Sequence, residues 1–312
     1  VINGVVETRG AEPARAGILN VVTENGSAIG SSAIDGSDIT ITIKNLAGLT
    51  AEANGEYAFG IGAENATVVI KNTKIDYVAG GYIQPLWIYD TKYGKSEPKG
   101  GAAIGGANVT IENSVIVKAE GGSKAAAIGN KFWAGTNIVI KNSTLGDIFG
   151  GNASAAIGGS RFAEDISENK KQTIYINIEN STITNAVGGQ AGAGIGSGYD
   201  THCKANNSNA VNEIVITESN IKAQGGKYAA GIGTGYHAAA LSGSIDAASV
   251  VEAKCGEDFY KSGYTIAQNI GYGVVDPARE FNGAVVTFTV AGEVIDTPFV
   301  TVTSADEFNT AM

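Results

Sequence analysis

The dipeptide Ile-Gly, preceded by small residues, returns along most of the chain. Its eight copies are Ile29-Gly30, Ile61-Gly62, Ile104-Gly105, Ile128-Gly129, Ile157-Gly158, Ile195-Gly196, Ile232-Gly233 and the weaker Ile270-Gly271. Successive copies are 32, 43, 24, 29, 38, 37 and 38 residues apart. The shortest interval suits a coil of three short strands and three turns, and the longer intervals add inserted loops. A period in this range is typical of repeat architectures.

A second column consists of short strands with alternating apolar residues, each ending in Asn. The clearest copies are 41–45, 68–72, 109–113, 138–142 and 176–180. Alternation with a period of two predicts one buried face. The next Ile-Gly pair begins 15 residues after each of Asn113, Asn142 and Asn180. Stacked coils must stay in register, so we expect these three Asn side chains to be buried, with their amides bonded to neighbouring coils.

A Gly-Gly pair forms a third column. Its copies are Gly80-Gly81, Gly121-Gly122, Gly150-Gly151, Gly188-Gly189 and Gly225-Gly226. Glycine is the residue that accepts a positive φ, so we expect these pairs to form corners of that kind. A second strand lies between the Asn and Gly-Gly columns, and its predicted inward residues are Ile75, Ile116, Leu145, Ile183 and Ile221.

Together the three columns predict an all-β fold, a single-stranded right-handed parallel β-helix of about eight coils with end caps. Helical apolar periodicity is nearly absent, and a sandwich would need hairpins rather than a fixed return of the same corners. We assign residues 1–25 to an N-terminal cap, 26–275 to the repeats and 276–303 to C-terminal cap strands. Residues 304–312 carry a helix-capping box, Ser304 to Glu307, and indicate a further segment of a longer protein.

The Asn column resembles that of the pectin-lyase-like right-handed β-helix superfamily, in which stacked Asn side chains bond along one corner. Coils such as Ala193-Gly194-Ile195-Gly196 also resemble repeats in large surface proteins of gut bacteria. The resemblance covers residues 26–275 and implies a secreted or cell-surface location in a bacterium. It implies no particular activity, because one fold hosts many functions.

Charge narrows the range of partners. The formal net charge of −10 opposes binding to nucleic acid or to an anionic membrane surface, and no basic run offsets it. No apolar run is long enough to span a bilayer, so no membrane insertion is expected. The two cysteines, Cys203 and Cys255, leave a single disulfide open as an alternative. The expected partners are a glycan or polysaccharide and other domains of the same longer chain.

Aromatic residues follow the Ile-Gly corner at similar offsets in successive coils, and polar residues stand beside them. We predict that they form a carbohydrate-binding edge, with ring faces against sugars and polar groups on hydroxyls. The predicted residues are Trp133, Phe162, Tyr199, Tyr236, Asp200 and Arg161. The alternative is an aromatic stack that covers the core. A long insertion around Trp87 and Tyr89 is a second candidate binding segment, or else a packed flap.

Catalytic and metal-binding patterns are incomplete. Glycosidases need two carboxylates flanking the scissile bond, and nothing in the sequence pairs the candidates Asp147, Glu164, Asp165 and Asp200. The loops that carry His202, Cys203 and His237 offer too few converging ligands for a metal site. We therefore predict no cofactor and no metal, and the sequence leaves catalysis open while favouring a non-enzyme.

The leading hypothesis is a non-catalytic extracellular carbohydrate-binding module, or an adhesin or scaffold module, of a larger surface protein. The alternative is a carbohydrate-active enzyme, a glycoside hydrolase or polysaccharide lyase, whose site lies in a loop-lined groove of the β-helix. A third reading is a structural cap or stalk without a ligand. The identity of the glycan and the oligomeric state are left open.

Overall fold

The computed structural model describes residues 4–7, 17–32, 39–82, 99–131, 134–161, 173–199, 212–237, 241–256, 264–275 and 286–296. Within these ranges the regular structure is β-strand, and the chain winds through eight coils that build three sheets. Successive coils pair in parallel, so the predicted all-β parallel β-helix is confirmed. In the same ranges no helix is long and apolar enough to cross a membrane.

The first sheet contains the five strands that end at the Asn column and five further strands towards the two ends of the described chain. In order they are Gly4–Glu7, Thr40–Lys44, Thr67–Lys71, Asn108–Glu112, Thr136–Lys141, Ile174–Glu179, Asn212–Thr217, Leu241–Ile245, Val286–Val290 and Glu293–Asp296. All neighbours are parallel except the last pair, which is antiparallel. Alternate residues such as Ile138 and Ile140 are fully buried, as the period of two predicted.

The second sheet follows the Asn corner. Its strands are Ile18–Val22, Gly48–Glu52, Lys74–Ile75 with Tyr77–Ala79, Val115–Glu120, Thr144–Phe149, Thr182–Val187, Asn220–Gln224 and Val250–Lys254. The five residues predicted to face inward are all buried, and they are Ile75, Ile116, Leu145, Ile183 and Ile221. The inward face of this sheet is thus the one expected from the sequence.

The third sheet is made of the eight Ile-Gly pairs themselves. Each forms a two-residue strand, and each Ile pairs with the Ile of the next coil and each Gly with the next Gly. The six Ile side chains from Ile61 to Ile232 are completely buried in the core between the three sheets. The Ile-Gly repeat found in the sequence therefore marks the residues that pair between successive coils.

The Asn column is exposed, so its predicted burial is wrong. Asn113, Asn142 and Asn180 are all solvent-exposed and have φ values of 50°, 49° and 45°. Asn tolerates this left-handed conformation better than most residues, which explains its place at the corner. Amide bonds between neighbouring coils do occur, from Asn180 Nδ2 to Asn142 Oδ1 at 2.9 Å and from Asn72 Nδ2 to Asn45 Oδ1 at 3.3 Å, but both are exposed to solvent.

The buried polar column begins at the hydroxyl residue that directly follows Asn72, Asn113, Asn142 and Asn180. Ser143 Oγ accepts the Ser114 N–H at 3.1 Å, and Ser181 Oγ accepts the Ser143 N–H at 3.1 Å. Ser143 Oγ also donates to the Lys141 carbonyl at 2.6 Å. The same pattern joins Thr73 to Ser114 and Ser181 to Ser219, and all of these side chains are buried. We call this column, from Thr73 to Ser249, the hydroxyl ladder.

The Gly-Gly pairs do not adopt positive φ, which corrects a second expectation. The second residue of each pair is glycine because the backbone of the preceding coil lies too close for a side chain. A Cβ on Gly151 would overlap the Gly122 carbonyl oxygen, and one on Gly189 would overlap that of Gly151. Positive φ occurs instead at the Ile-Gly corner, with 140° at Gly196.

At both ends strands extend into the segments assigned to caps. Gly4–Glu7 and Ile18–Val22 belong to the first and second sheets, and they complete a coil with Ile29–Gly30. Val286–Val290 adds a further strand to the first sheet beyond the eighth coil. Residues 304–312, with the predicted helix start, lie outside the described residues.

Candidate functional site

Residues at one fixed offset after the Ile-Gly pair line a single edge of the β-helix. The third residue after the glycine is Arg161, Tyr199, Tyr236 and Val274 in four consecutive coils. Backbone bonds hold this column: the Tyr199 N–H donates to the Ala153 carbonyl at 2.8 Å. The Tyr236 N–H likewise donates to the next coil's alanine at 2.9 Å. Tyr199 and Tyr236, the two aromatic residues of the predicted edge that the structure describes, therefore lie on one edge.

Their side chains stack on one another along the axis of the β-helix. The rings of Tyr199 and Tyr236 are stacked, with centroids 5.5 Å apart and planes at 26°. The Arg161 guanidinium carbon lies 5.2 Å from the centroid of the Tyr199 ring. Because the three residues come from consecutive coils, Tyr199 lies between the other two. The Tyr199 ring therefore contacts Arg161 and Tyr236, whereas the sequence predicted ring faces that contact sugars.

A cleft of about 210 Å³ opens beside this stack. Ala153 and Ala191, both nearly buried, are its smallest lining residues and leave the space. Three polar residues, Arg161, Asn152 and Gln190, also line the cleft. The three tyrosines of the cleft are half-buried, so the site is accessible from solvent.

Tyr228 completes the cleft and was not predicted from the sequence. Its ring centroid is 5.0 Å from that of Tyr236, at an interplanar angle of 38°. It follows the Gly225-Gly226 corner by two residues, the position that holds Ala153 and Ala191 in the preceding coils. The change from alanine to tyrosine at this repeat position is the feature of the sequence that could have identified Tyr228 as part of the site.

His237 and Cys255 are buried and contact tyrosines of the cleft. His237 is buried, has a φ of 55°, and its ring centroid is 3.7 Å from that of Tyr236. Cys255 is also buried, and Tyr228 and Tyr236 pack against its cluster. Among the described residues no three His, Cys, Asp or Glu side chains converge on one point. His202 and Cys203 lie outside the described residues.

The remaining candidates do not line the cleft or fall outside the described part of the chain. Asp147 lies on the outer face of the second sheet, where it accepts a bond from Asn185 Nδ2 at 2.8 Å. The candidates that lie outside the described residues are Trp87, Tyr89, Trp133, Phe162, Glu164, Asp165 and Asp200. Their predicted roles stay predictions.

A second polar cluster occupies that outer face. The Tyr77 hydroxyl donates to the Glu120 carboxylate at 2.5 Å, and Lys118 Nζ pairs with the same carboxylate at 2.9 Å. Lys118 also lies near the rings of Tyr77 and Phe149. Burial, and then the bond to Glu120, raise the pKa of Tyr77 well above its ordinary value. Tyr77 and Lys118 therefore both pair with the carboxylate of Glu120.

The raised pKa of Tyr77 predicts an alkaline stability loss that Tyr77→Phe lacks. Above pH 10 the unfolded chain ionises this phenol while the folded chain keeps it neutral, so stability is intact below pH 10 and falls as pH rises through the folded pKa. Urea unfolding from pH 8 to 11 should show a steeper decline in wild type than in Tyr77→Phe. Parallel declines would contradict the shifted pKa.

Comparison of the chain with protein-family models, curated proteins and solved structures gave no match.

Proposed function

We propose that this chain is a non-catalytic carbohydrate-binding module and that the cleft beside Tyr199, Tyr228 and Tyr236 is its glycan site. The observation that carries the proposal is the combination of groups in the cleft: three tyrosines, one guanidinium, two amides and an alanine floor. Binding pockets characteristically pair apolar surface with a few placed polar groups.

The chemistry of sugars matches this combination. A pyranose has C–H groups that pack on alanine methyls and ring edges, and hydroxyls that exchange bonds with amides and a guanidinium. Arg161 already lies over the Tyr199 ring, which orients its donors without a further ordering cost. Asn152 and Gln190 are amides at the same position of adjacent coils, so both lie along one wall.

The setting that fits such a module is the outside of a bacterial cell, as part of a larger surface protein. The sequence resemblance to pectin-lyase-like β-helices and to gut-bacterial surface repeats supports this setting. A rigid solenoid holds an edge site at a fixed distance from neighbouring domains, which suits both adhesion and scaffolding. The other domains of the same chain are then its structural partners.

A glycan array followed by calorimetry tests the proposal. We expect wild type to bind at least one glycan, and Tyr199→Ala and Gln190→Ala each to weaken binding by about tenfold or more, ~1.4 kcal/mol. Matched controls are Tyr175→Ala and Asn177→Ala, which remove a half-buried tyrosine and amide from the outer face of the first sheet.

The controls should bind as wild type does. Circular dichroism of each variant establishes that its β-helix is intact before its affinity is compared. The proposal is rejected if no glycan binds, or if Tyr199→Ala and Gln190→Ala bind as tightly as their controls.

A further inference from the structure

We infer that the cleft takes the end of a glycan, one or two sugar units long, and not an internal stretch of a long polysaccharide. The inference rests on the proposed function, because it specifies the ligand of that site. It follows from the residues that form the floor of the cleft, two positions after each Gly-Gly pair. Ala153 and Ala191 occupy this position in two adjacent coils, and Tyr228 occupies it in the next.

The floor positions are equivalent in space as well as in sequence. The carbonyl of each accepts the backbone N–H of the edge residue in the next coil: Tyr199 on Ala153, Tyr236 on Ala191 and Val274 on Tyr228. Where the floor is alanine the edge residue is tyrosine, and the space between them is the cleft. Where the floor is Tyr228, the edge residue is Val274 and the Tyr228 ring packs against Tyr236.

Tyr228 therefore closes one end of the cleft. Its ring packs 5.0 Å from Tyr236, centroid to centroid, and both side chains belong to the lining of the cleft. A glycan lying along the axis of the β-helix meets this ring after crossing the two alanines. A chain that continued past that point would have to leave the surface or displace the tyrosine.

The alanine floor also ends on the N-terminal side, at the coil before Ala153. In the preceding coil the same position is Lys124, whose φ of 63° matches the 66° of Ala153. Lys124 is nearly buried, so the position that is alanine in the next two coils holds a long packed side chain in this one. The alanine floor thus spans two coils, or about 10 Å at the usual spacing between parallel strands.

The dimensions of the cleft agree with a short ligand. Its volume of about 210 Å³ lies below the roughly 300–1,000 Å³ typical of pockets that enclose drug-sized molecules. A sugar unit spans about one coil spacing, so two alanine coils accommodate one or two units. Recognition of a chain end follows, because an internal stretch has units on both sides that need room.

A length series on wild type tests this inference. Cello-, manno- and xylo-oligosaccharides of one to six units, together with the oligomers of any glycan found on the array, are titrated calorimetrically. We expect affinity to rise up to the disaccharide and then to change by less than about twofold up to the hexasaccharide. An affinity that keeps rising by about threefold or more per added unit overturns the inference and leaves the proposed function standing.

Tyr228→Ala and Tyr228→Phe provide a second, independent measurement. Removing the ring opens the next coil, so Tyr228→Ala should gain about tenfold in affinity for the hexasaccharide over the disaccharide, while Tyr228→Phe keeps the wild-type plateau. An unchanged plateau in a folded Tyr228→Ala counts against the inference. If Tyr228→Ala does not fold, the wild-type series decides alone. If no saccharide of any length binds, the proposed function fails, and this inference with it.

Discussion

Gly196→Ala is expected to abolish cooperative folding, or to destabilise the chain by more than about 4 kcal/mol. Two effects act together at this corner. The φ of 140° is one that residues with a side chain rarely adopt, and the added Cβ would overlap the carbonyl oxygen of Gly233 in the next coil. The obstacle is backbone, which cannot move without breaking the register of the third sheet. Urea unfolding followed by circular dichroism measures the loss.

Gly292→Ala is the matched control for this substitution. Gly292 also has a positive φ, 86°, but nothing lies within 4 Å of the position a Cβ would take. Gly292→Ala should lower the free energy of unfolding by about 1–2 kcal/mol, the conformational cost of a side chain at positive φ. The difference between the two variants then reports the collision between coils. Equal losses would mean that backbone conformation alone explains glycine at the Ile-Gly corner.

The sequence predicted the architecture well because the same contacts recur in every coil. Ile104 and Ile128, only 24 residues apart, already define a coil with no room for a long insertion. Ile116 and Leu145 then follow as inward residues, and the structure buries both completely. Each repeated position averages over several coils, so a signal too weak in one strand becomes clear in the column.

The conformation and burial of individual corner residues were harder to predict, because one residue type can be required at a corner for different physical reasons. At Gly196 glycine is required by positive φ as well as by the close approach of a neighbouring coil, whereas at Gly151 only the close approach requires it, and only coordinates separate these cases. The alternation that predicts burial also stops at a turn. The register of stacked coils correctly predicted a buried polar column at this corner but not which residue forms it, and the buried residue is Ser143 rather than Asn142.

The candidate site was predictable in part for the same reason. The similar offsets of aromatic residues such as Tyr199 and Tyr236 predicted one edge with Arg161 beside it, and the structure brings these three side chains together. That the rings would stack on each other could not be derived, since ring orientation depends on the space left by neighbouring coils. Tyr228 enters from a different column, and only the stacking of the coils brings it to the same cleft.

Ser143→Ala is expected to cost about 1–3 kcal/mol of the free energy of unfolding, because it leaves a buried donor without a partner. The Ser143 hydroxyl accepts the N–H of Ser114, which is 2% exposed, and donates to the Lys141 carbonyl. Alanine keeps the strand and the corner but removes both bonds. The hydroxyl ladder, not the Asn column, is then the polar structure that stabilises the corner between the first and second sheets.

Asn142→Gly is the discriminating partner of that variant. Glycine accepts the φ of 49° at this position, and the bond from Asn180 to the Asn142 amide is exposed to water. The change should therefore cost at most about 0.5–1 kcal/mol, mainly through the greater freedom of the unfolded chain. Both variants are compared by urea unfolding at one pH and temperature. If Asn142→Gly is the more damaging of the two, the Asn amides stabilise the corner more than the hydroxyls do, and the role assigned to the hydroxyl ladder is wrong.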